Sequence, residues 1–319
     1  MTQQMPTIKD IISARKNVYN HLHPTPLYSY PTLNSLIGTK TWIKHENHHP
    51  VGAFKIRGGL NLAANLTNEE KSNGLFTAST GNHGQSIAFA SRAYNLKATI
   101  AVPEGANPGK VAAMRGLGAE VLFHGEDFDE AREWIIQVAE KQGGKFVGPT
   151  DELLIHGVGT YALEIIEELP IVDTIIVPVG AGSGVCGTGI VAKTINPRIE
   201  IIAVQSAQAP AMQISWEKGE MVEAGTETIA EGLATRVPFG NTQRIMREYV
   251  DKFLLVDDEK IKVATRIMME HTHNLVEEAA AAPLAAALQI KEQLQGKNVV
   301  LVASGGNISM ENLKKVLSQ

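Results

Sequence analysis

The chain has 319 residues, of which 44% are hydrophobic and 20% are charged, and its formal net charge is −5 at pH 7. At roughly 150 residues per domain this length predicts two domains, and the composition is typical of a globular protein with a substantial core. The acidic balance gives no basic surface for nucleic acid or for an anionic membrane.

Cys186 is the single cysteine, so no intrachain disulfide can form and a reducing compartment is expected. The stretch from Met1 to Lys16 lacks the apolar core of a secretory signal. Five glycines and Pro178 interrupt the nearly uncharged stretch 174–192, which disfavours a membrane span. We therefore expect a cytoplasmic protein.

In chain order, the first predicted element is a helix that begins near Thr7, a residue able to cap it. The stretch His23–Leu27 is predicted to be extended, since each of its prolines restricts the residue before it. Short apolar runs then alternate with amphipathic stretches, which is typical of helices packed on parallel sheets. The first series comprises strands Leu75–Ala78, Ala98–Val102, Glu120–Phe123 and Lys145–Val147 and helices Gly84–Tyr94, Lys110–Leu117 and Asp127–Lys141.

A second series continues to the end of the chain. Its predicted strands are Thr174–Pro178, Ile199–Val204, Phe253–Val256 and Asn298–Ala303. Its predicted helices are Val185–Ile195, Pro210–Gly219, Asp258 to His273, Glu277–Leu294 and Ser309–Leu317. Pro283 is expected to bend the fourth of these helices or to move its start.

The segment Gly180-Ala181-Gly182-Ser183-Gly184 follows an apolar strand and precedes a helix. Backbone N–H groups in such a turn, together with the helix dipole, form a site suited to phosphate. Two alternatives stay open: a dinucleotide site, because residues 182–187 match G-x-G-x-x-G, and a tight turn that binds nothing. A dinucleotide site needs an acidic residue at the end of the next strand, whereas Gln205 stands there.

Lys55 lies between Phe54, which can pack under a flat ring, and Gly58-Gly59, where backbone can approach closely. Most lysines are solvated surface charges, so this residue alone would indicate little. Together with the glycine loop, it points to a lysine Schiff base with pyridoxal phosphate (PLP), a form of covalent catalysis.

A third segment, Ser79-Thr80-Gly81-Asn82-His83-Gly84, follows a strand and opens a helix. It offers the hydroxyl, amide and backbone N–H donors that a substrate carboxylate requires. The alternative is that Ser79 or Thr80 only caps the helix.

These segments, followed by Ser304-Gly305-Gly306-Asn307, occur in the order seen in the tryptophan-synthase-β-like (fold type II) PLP enzymes. Within that family the chain most resembles the threonine/serine dehydratase and serine racemase branch, from Thr7 to about Leu317. The resemblance implies an α/β fold of two domains, each a mostly parallel sheet flanked by helices. Residues 1–70 and 150–319 would form the larger, PLP-binding domain, and residues 71–149 a smaller domain that closes over the active site.

The resemblance also implies a role for each matching residue. Lys55 would carry the PLP imine and then move the α-proton of the substrate, and Phe54 would back the ring. Asn82 would bond the ring 3-hydroxyl, and Ser304 would face the pyridine nitrogen. The phosphate would be held by Gly180, Ala181, Gly182, Ser183 and Gly184, and the substrate carboxylate would be surrounded by Ser79, Thr80, Asn82 and His83.

A hydroxyl opposite the pyridine nitrogen stabilises a protonated ring less than a carboxylate does. The neutral partner Ser304 therefore favours β-elimination over transamination. We expect a PLP-dependent ammonia-lyase that converts L-threonine, L-serine or a similar 3-hydroxy amino acid to a 2-oxo acid and ammonia. The alternatives are a serine racemase or a β-replacement enzyme on the same fold and, from another class, a non-catalytic nucleotide-binding module.

Two positions depart from the pattern of that branch. Ala53 replaces a usual serine, which is expected to alter phosphate or loop contacts without removing the chemistry. At the position of Thr80, the racemases that this chain resembles have a serine that serves as a second acid/base. The extra methyl group of Thr80 restricts the rotamer, so racemisation is less expected than dehydration.

No metal site is expected. Racemase-like members bind a divalent cation through acidic residues after the strand that ends at Gln205, but residues 205–211 contain no carboxylate. His45, His48 and His49 are interpreted as a surface or substrate-channel cluster rather than as a transition-metal site.

Three further charged residues are candidates for the site. Glu277 and Glu278 either lie near the cofactor ring or are favourable charges in a first helical turn. The stretch 231–239 is expected to border the substrate, with Arg236 meeting an acidic or polar substituent. Beyond the amino-acid substrate, the resemblance implies association of the chain into a homodimer or homotetramer.

Overall fold

A computed structural model describes residues 5–318 of the chain; the outermost residues of the predicted larger domain, 1–4 and 319, lie outside that span. Within it the predicted α/β class is confirmed, because helices flank two mostly parallel sheets. No helix of residues 5–318 combines the length and the hydropathy that crossing a bilayer requires.

The strands, numbered in chain order, are β1 Leu27–Ser29, β2 Lys40–His45, β3 Leu75–Ala78, β4 Ala98–Val102, β5 Glu120–Phe123, β6 Lys145–Phe146, β7 Thr174–Pro178, β8 Glu200–Ser206, β9 Lys252–Val256 and β10 Asn298–Ala303. The helices are α1 Ile8–Tyr19, α2 Pro31–Ile37, α3 Lys55–Ala64, α4 Asn68–Asn73, α5 Asn82–Ala93, α6 Pro108–Gly116, α7 Phe128–Gln142, α8 Glu152–Val158, α9 Thr160–Glu168, α10 Ser183–Ile195, α11 Ala211–Lys218, α12 Gly240–Tyr249, α13 Asp258–Thr272, α14 Glu278–Gln289 and α15 Met310–Leu317.

The larger sheet has the strand order β1-β2-β10-β7-β8-β9, and among these strands only β1 runs antiparallel to its neighbour. The smaller sheet, in the order β5-β4-β3-β6, is parallel throughout. Parallel strands of one sheet end at the same edge, which is where ligand sites form. The turns after β7 and β10 therefore lie at one edge of the larger sheet, and the turn after β3 lies at the corresponding edge of the smaller one.

Both faces of the larger sheet are buried. Ile175 and Val177 of β7 join a hydrophobic cluster with α9 and α10, whereas Ile176 between them joins a second cluster with α13 and α14. Successive side chains of a strand point to opposite faces, so a strand that is covered on both sides forms a continuous apolar run. This is why the central strands were recognisable in the sequence.

Helix α3, which begins at Lys55, is packed closely against α5 and α8. A Cβ atom at Gly59 would lie 2.5 Å from the Ser86 Oγ atom in α5, and one at Gly58 would lie 2.8 Å from the backbone oxygen of Leu154 in α8. Leu62, on the same helix, belongs to the core of the smaller sheet. These contacts favour grouping α3 with the smaller sheet, while the division of the chain at residues 70 and 150 stays a prediction.

Several predicted element bounds are corrected. Strand β8 continues to Ser206, so Gln205 lies inside the strand and not after it. Helix α14 ends at Gln289 and is followed by a 3₁₀ turn over residues 291–294, and it runs through Pro283 without a moved start. The short helices α8, α9 and α12 were not predicted, because helices of this length depend on tertiary packing more than on their own sequence.

Candidate active site

Four chain segments meet at the strand ends. They are the turn 49–54 before α3, the turn after β3, the glycine loop after β7 and the turn 304–307 after β10. The first and last are joined by backbone hydrogen bonds: Phe54 N donates to Ser304 O at 3.0 Å, and Gly306 N donates to Gly52 O at 2.9 Å. Lys55 is thereby fixed beside a turn almost at the other end of the chain.

The Lys55 amine lies in a partly buried position without a hydrogen-bond partner among residues 5–318. Its Nζ atom is 5.5 Å from the centre of the Phe54 ring. Burial lowers the pKa of this amine from 10.5 to about 8, although the charge of Glu277 acts in the opposite direction. A lysine with a lowered pKa has more of the neutral form that reacts with an aldehyde.

The glycine loop has the geometry of an anion cradle. Gly182 has a φ of +100°, which favours glycine, and a Cβ at Gly180 would lie 2.2 Å from the backbone oxygen of Gly232. Helix α10 begins at Ser183, so unpaired N–H groups and the positive end of its dipole face the loop. The predicted phosphate site therefore has backbone donors and the close approach that it requires.

Phe54 links the lysine to the glycine loop. A Cβ at Gly184 would lie 3.6 Å from the Phe54 ring and 3.4 Å from the Tyr161 hydroxyl oxygen. That hydroxyl donates to the backbone oxygen of Gly184 at 3.0 Å, and the two rings meet edge to face at 6.3 Å. The apolar ring is thus held beside both the amine and the phosphate loop.

Ser304 is 4% exposed at the end of β10. Its backbone oxygen accepts from Phe54, but its hydroxyl has no hydrogen-bond partner among residues 5–318. That hydroxyl is therefore available to a ligand, as the predicted contact with the ring nitrogen requires. A reactive amine, an anion cradle, a flat apolar contact and a free hydroxyl together fit the phosphorylated pyridine aldehyde PLP.

Asn82, Glu277 and Asn307 form a hydrogen-bonded group between the two sheets. Asn82 Nδ2 donates to Glu277 Oε1 at 2.8 Å, and Asn307 Nδ2 donates to Asn82 Oδ1 at 2.7 Å. Burial raises the pKa of Glu277, and the hydrogen bond from Asn82 counters that effect. The sequence left the place of Glu277 open; the structure brings it into the site, close enough to Lys55 to affect its charge.

The residues predicted around the substrate carboxylate are at the start of α5. Ser79 Oγ accepts from Gly81 N at 3.2 Å and from Gly84 N at 2.9 Å, so Ser79 does cap this turn. The Thr80 side chain is half-buried and makes no hydrogen bond within residues 5–318. Capping by Ser79 is therefore observed, and the carboxylate role of both residues stays a prediction.

His83 is buried, and its Nε2 atom lies 3.1 Å from the backbone oxygen of Val147. A carbonyl oxygen only accepts, so Nε2 carries the proton. Burial, and then the charge of Lys55, lowers the pKa of His83 to about 4. The ring is consequently neutral at pH 7, and any attraction of position 83 for a carboxylate comes from its place at the helix N-terminus.

The histidine cluster is corrected. His45 and His49 are buried, not surface residues, because His45 ends the interior strand β2. His45 bonds the Tyr30 hydroxyl at 2.9 Å, and exposed His48 stacks on it at 4.8 Å. Within residues 5–318 no group of three or more potential metal ligands converges.

Arg236 is exposed, and its guanidinium lies 3.4 Å from the Asp129 carboxylate of α7. Residues 231–239 thus approach the helices of the smaller sheet, and Lys110 of α6 pairs with Glu231 in the same way. Glu278 is buried beside this second pair, and burial raises its pKa to about 7. Contact of Arg236 with a substrate stays a prediction.

A buried charged network beneath the lysine turn was not predicted from the sequence. Arg57 is fully buried, and its guanidinium donates to both oxygens of Glu46, at 2.7 and 2.8 Å, and to both oxygens of Glu164, at 2.6 and 2.9 Å. Lys44 Nζ also donates to Glu164, at 2.5 Å. A signal was present, since Glu164 interrupts the apolar face of α9, but its partners are distant in the sequence.

Comparison with known proteins agrees with this geometry. A sequence model of the family described as "Pyridoxal-phosphate dependent enzyme" matches residues 18–305. The chain is 37% identical to the L-threonine ammonia-lyase of Thermotoga maritima over 99% of this chain and 79% of that protein. It is 35% identical to a catabolic L-threonine dehydratase of Staphylococcus aureus over 99% of this chain and 93% of that protein.

Solved structures are similar over nearly the whole chain. The processed form of threonine deaminase isoform 2 from Solanum lycopersicum superposes with a TM-score of 0.94 and 32% identity, covering 98% of this chain and 91% of that one. The serine racemase of Dictyostelium discoideum superposes with a TM-score of 0.90 and 34% identity, covering 95% of this chain and 99% of that one.

Proposed function

The chain belongs to the pyridoxal-phosphate dependent enzyme family, and from that membership we propose that it is an ammonia-lyase acting on L-threonine, with L-serine as a second substrate. The substrate loses water across its α- and β-carbons, and hydrolysis of the resulting enamine and imine gives a 2-oxo acid and ammonia. The observation that carries the proposal is the Lys55 amine, which has no hydrogen-bond partner among residues 5–318 and lies 5.5 Å from the Phe54 ring that packs against the glycine loop at Gly184. Relatives between 35% and 40% identical that are named L-threonine ammonia-lyase or dehydratase support the substrate.

When bound, PLP supplies an aldehyde for the substrate amine and a conjugated ring that withdraws electrons from the α-carbon. Residues 180–184 and the N-terminus of α10 would hold its phosphate, and Phe54 would pack against its ring. Asn82 would donate to the ring oxygen, and Ser304 would face the ring nitrogen. Each of these side chains lies at the meeting of the four segments described above.

Lys55 accepts the α-proton of the substrate and later releases it. With a pKa of about 8, its amine is close to the range in which it both accepts and releases a proton near neutral pH. The N-terminus of α5, with Ser79 and Thr80 before it, binds and orients the substrate carboxylate. That orientation would turn the α-carbon proton towards the lysine side chain.

The hydroxyl of Ser304 accounts for elimination as the outcome. A hydroxyl donates to a neutral ring nitrogen, which only accepts, but it does not stabilise a protonated one as a carboxylate does. Ser304 would therefore favour loss of the β-hydroxyl from the substrate over transamination.

Racemisation of serine is the second candidate, because a serine racemase shares the fold at 34% identity. In that case Thr80 would act as the acid/base on the face opposite Lys55. Release of D-serine exceeding release of 2-oxo acid from L-serine would favour this candidate over the lyase.

We further propose a cytoplasmic homodimer or homotetramer, with the smaller domain closing over bound substrate.

The deciding experiment is a substrate screen on purified protein supplied with PLP. Ammonia and 2-oxo acid are measured with L-threonine, L-serine and L-3-hydroxyaspartate for the wild type, for Lys55→Ala and for Lys97→Ala, an exposed lysine that serves as the control. We expect Lys55→Ala to lower the rate by at least about 10²–10⁴-fold, the range of a lost general acid/base, and to remove the visible absorbance of bound cofactor. Full turnover by Lys55→Ala, or no release of ammonia by the wild type, would exclude the proposal.

A further inference from the structure

Asn307 contacts three segments that meet at the site. Its Nδ2 atom lies 2.8 Å from the backbone oxygen of Val51 and 2.7 Å from Asn82 Oδ1. Its backbone N–H donates to Glu277 Oε2 at 3.2 Å. Its Oδ1 atom covers Gly52, where an added Cβ would lie 2.9 Å away on a backbone with a φ of +64°. The side chain therefore has one packed position.

The partners of Asn307 fix the direction of a chain of hydrogen bonds. The carbonyl of Val51 only accepts, so the amide nitrogen of Asn307 must face it. The same nitrogen faces Asn82, so the atom of Asn82 that receives its second hydrogen must be the oxygen. Asn82 then turns its nitrogen towards the Glu277 carboxylate, which accepts. A rotated Asn82 amide would set a donor against a donor and an oxygen against a carboxylate.

One hydrogen of the Asn82 amide is left over. Its Nδ2 carries two hydrogens, one of which is given to Glu277, and no other residue of the described chain receives the second. Asn82 is half-buried at the first position of α5. The orientation set by Asn307 thus leaves a donor, and not an acceptor, available to a ligand.

We propose that Asn307 is a positioning residue that holds the Asn82 amide so that it presents an N–H group to an anionic oxygen of the bound cofactor. This inference rests on the proposed cofactor chemistry, in which Asn82 bonds the ring 3-oxygen. A donor stabilises the ionised form of that oxygen, whereas an amide oxygen in the same place would repel it. Asn307 does not touch the ligand and acts through Asn82.

A purely structural role is the competing explanation, because Asn307 also anchors the turn at Val51 just before the lysine. The two roles differ in whether the effect of Asn307 needs Asn82. A double-mutant cycle separates them, since it isolates the coupling between two side chains.

The cycle uses the holoenzymes of wild type, Asn307→Ala, Asn82→Ala and the double variant. Two readouts are followed by visible absorbance: the half-time of cofactor loss after dilution, and the pH midpoint of the absorbance change. We expect Asn307→Ala to release cofactor about tenfold faster and to raise the midpoint by about one pH unit, as for a lost hydrogen bond to a charged group. In the Asn82→Ala background the same change should shift either readout by less than about twofold or about 0.3 units. Equal effects in both backgrounds, or an unmoved midpoint, would overturn the proposal.

Asn307→Asp provides a second variant that keeps the shape of the side chain. It replaces the donor with an acceptor facing the Asn82 oxygen, so the hydrogen bond that holds the Asn82 amide in its orientation is lost. The matched control is Asn47→Asp, which makes the same change at a residue whose Nδ2 donates to the backbone oxygen of Leu275 at 3.2 Å without touching Asn82. We expect Asn307→Asp to raise the pH midpoint and Asn47→Asp to leave it in place; equal midpoints would refute the inference.

Failure of this proposal is distinguishable from failure of the proposed function. The readouts report the cofactor and not the amino acid that is consumed. Coupling between Asn307 and Asn82 in a protein that releases no ammonia would preserve this inference and exclude the lyase. An active lyase without that coupling would preserve the proposed function and exclude this inference.

Discussion

At the scale of single residues, the site depends on the charge of one amine. Burial lowers the pKa of Lys55 to about 8, so the neutral fraction rises about tenfold per pH unit below that value and levels off above it. We therefore predict that the rate at which apoenzyme takes up PLP increases from pH 6 to pH 8 and is nearly constant beyond pH 9. Stopped-flow growth of the visible band measures this rate. A rate that keeps rising towards pH 10.5 would show an ordinary, solvated lysine.

Arg57 is the residue with the largest expected contribution to stability near the site. Replacing it by methionine leaves the carboxylates of Glu46 and Glu164 buried without their guanidinium partner. Such a loss typically lowers the free energy of unfolding by about 3–5 kcal/mol. Arg15→Met is the matched control, because Arg15 pairs with Glu167 at 2.6 Å on the surface, and exposed pairs contribute less than about 1 kcal/mol. Urea unfolding of both variants measures the difference. Similar losses of unfolding free energy would contradict the importance of the buried network.

At the scale of elements, the close contact of α3 with α5 joins the lysine to the carboxylate-binding turn. Gly59→Ala would place a Cβ 2.7 Å from the backbone oxygen of Ser86 and 2.5 Å from its hydroxyl. The two helices must separate, at a cost of about 1–3 kcal/mol for overpacking, and Asn82 at the start of α5 moves with them. We predict a lower melting temperature and a lower kcat/KM.

The control for this prediction is another helical glycine. Gly116, the last residue of α6, has no atom within 4 Å of an added Cβ. Gly116→Ala should leave kcat/KM unchanged and stabilise the protein by up to about 1 kcal/mol, because alanine loses less backbone freedom on folding. If Gly59→Ala behaved like Gly116→Ala in thermal melts and in kinetics, the helices would not need their close approach.

At the scale of the whole molecule, ion pairs connect the helices of the smaller sheet to residues 231–239. Lys110 of α6 pairs with Glu231, and Glu231 is exposed. If the smaller domain closes over substrate, Lys110→Glu should open the cleft through like-charge repulsion and raise KM by about two- to fivefold, the equivalent of an exposed pair. The charge exchange Lys110→Glu with Glu231→Lys should restore KM.

A pair within the region of the smaller sheet controls for simple loss of a salt bridge. Lys145 Nζ of β6 lies 2.9 Å from the carboxylate of Glu70 in α4. Lys145→Glu is expected to lower the melting temperature slightly without changing KM. An increase in KM for Lys145→Glu, or failure of the exchanged pair to recover, would argue against closure through Lys110.

The amino-acid sequence by itself determined the α/β class, the central strands and the residues at which chemistry is concentrated. These follow from local patterns: an apolar run buried on two faces, a glycine turn before a helix, and a lysine between an aromatic residue and glycines. Lys55, the stretch 180–184 and the turn 79–84 before α5 were identified in this way, whereas Ser304 and the ring contact of Asn82 came from the family resemblance; the roles of all these residues in binding and catalysis stay predictions.

Only the tertiary structure decided which side chains complete the site. Asn307 bonds the backbone of Val51 across 256 residues of sequence, and Arg57 reaches Glu164 across 107. The place of Glu277 beside Asn82 and the burial of His45 have the same origin. Hydrogen-bond direction, desolvation and close packing depend on distances between segments that are remote in the chain, and no local pattern specifies those distances.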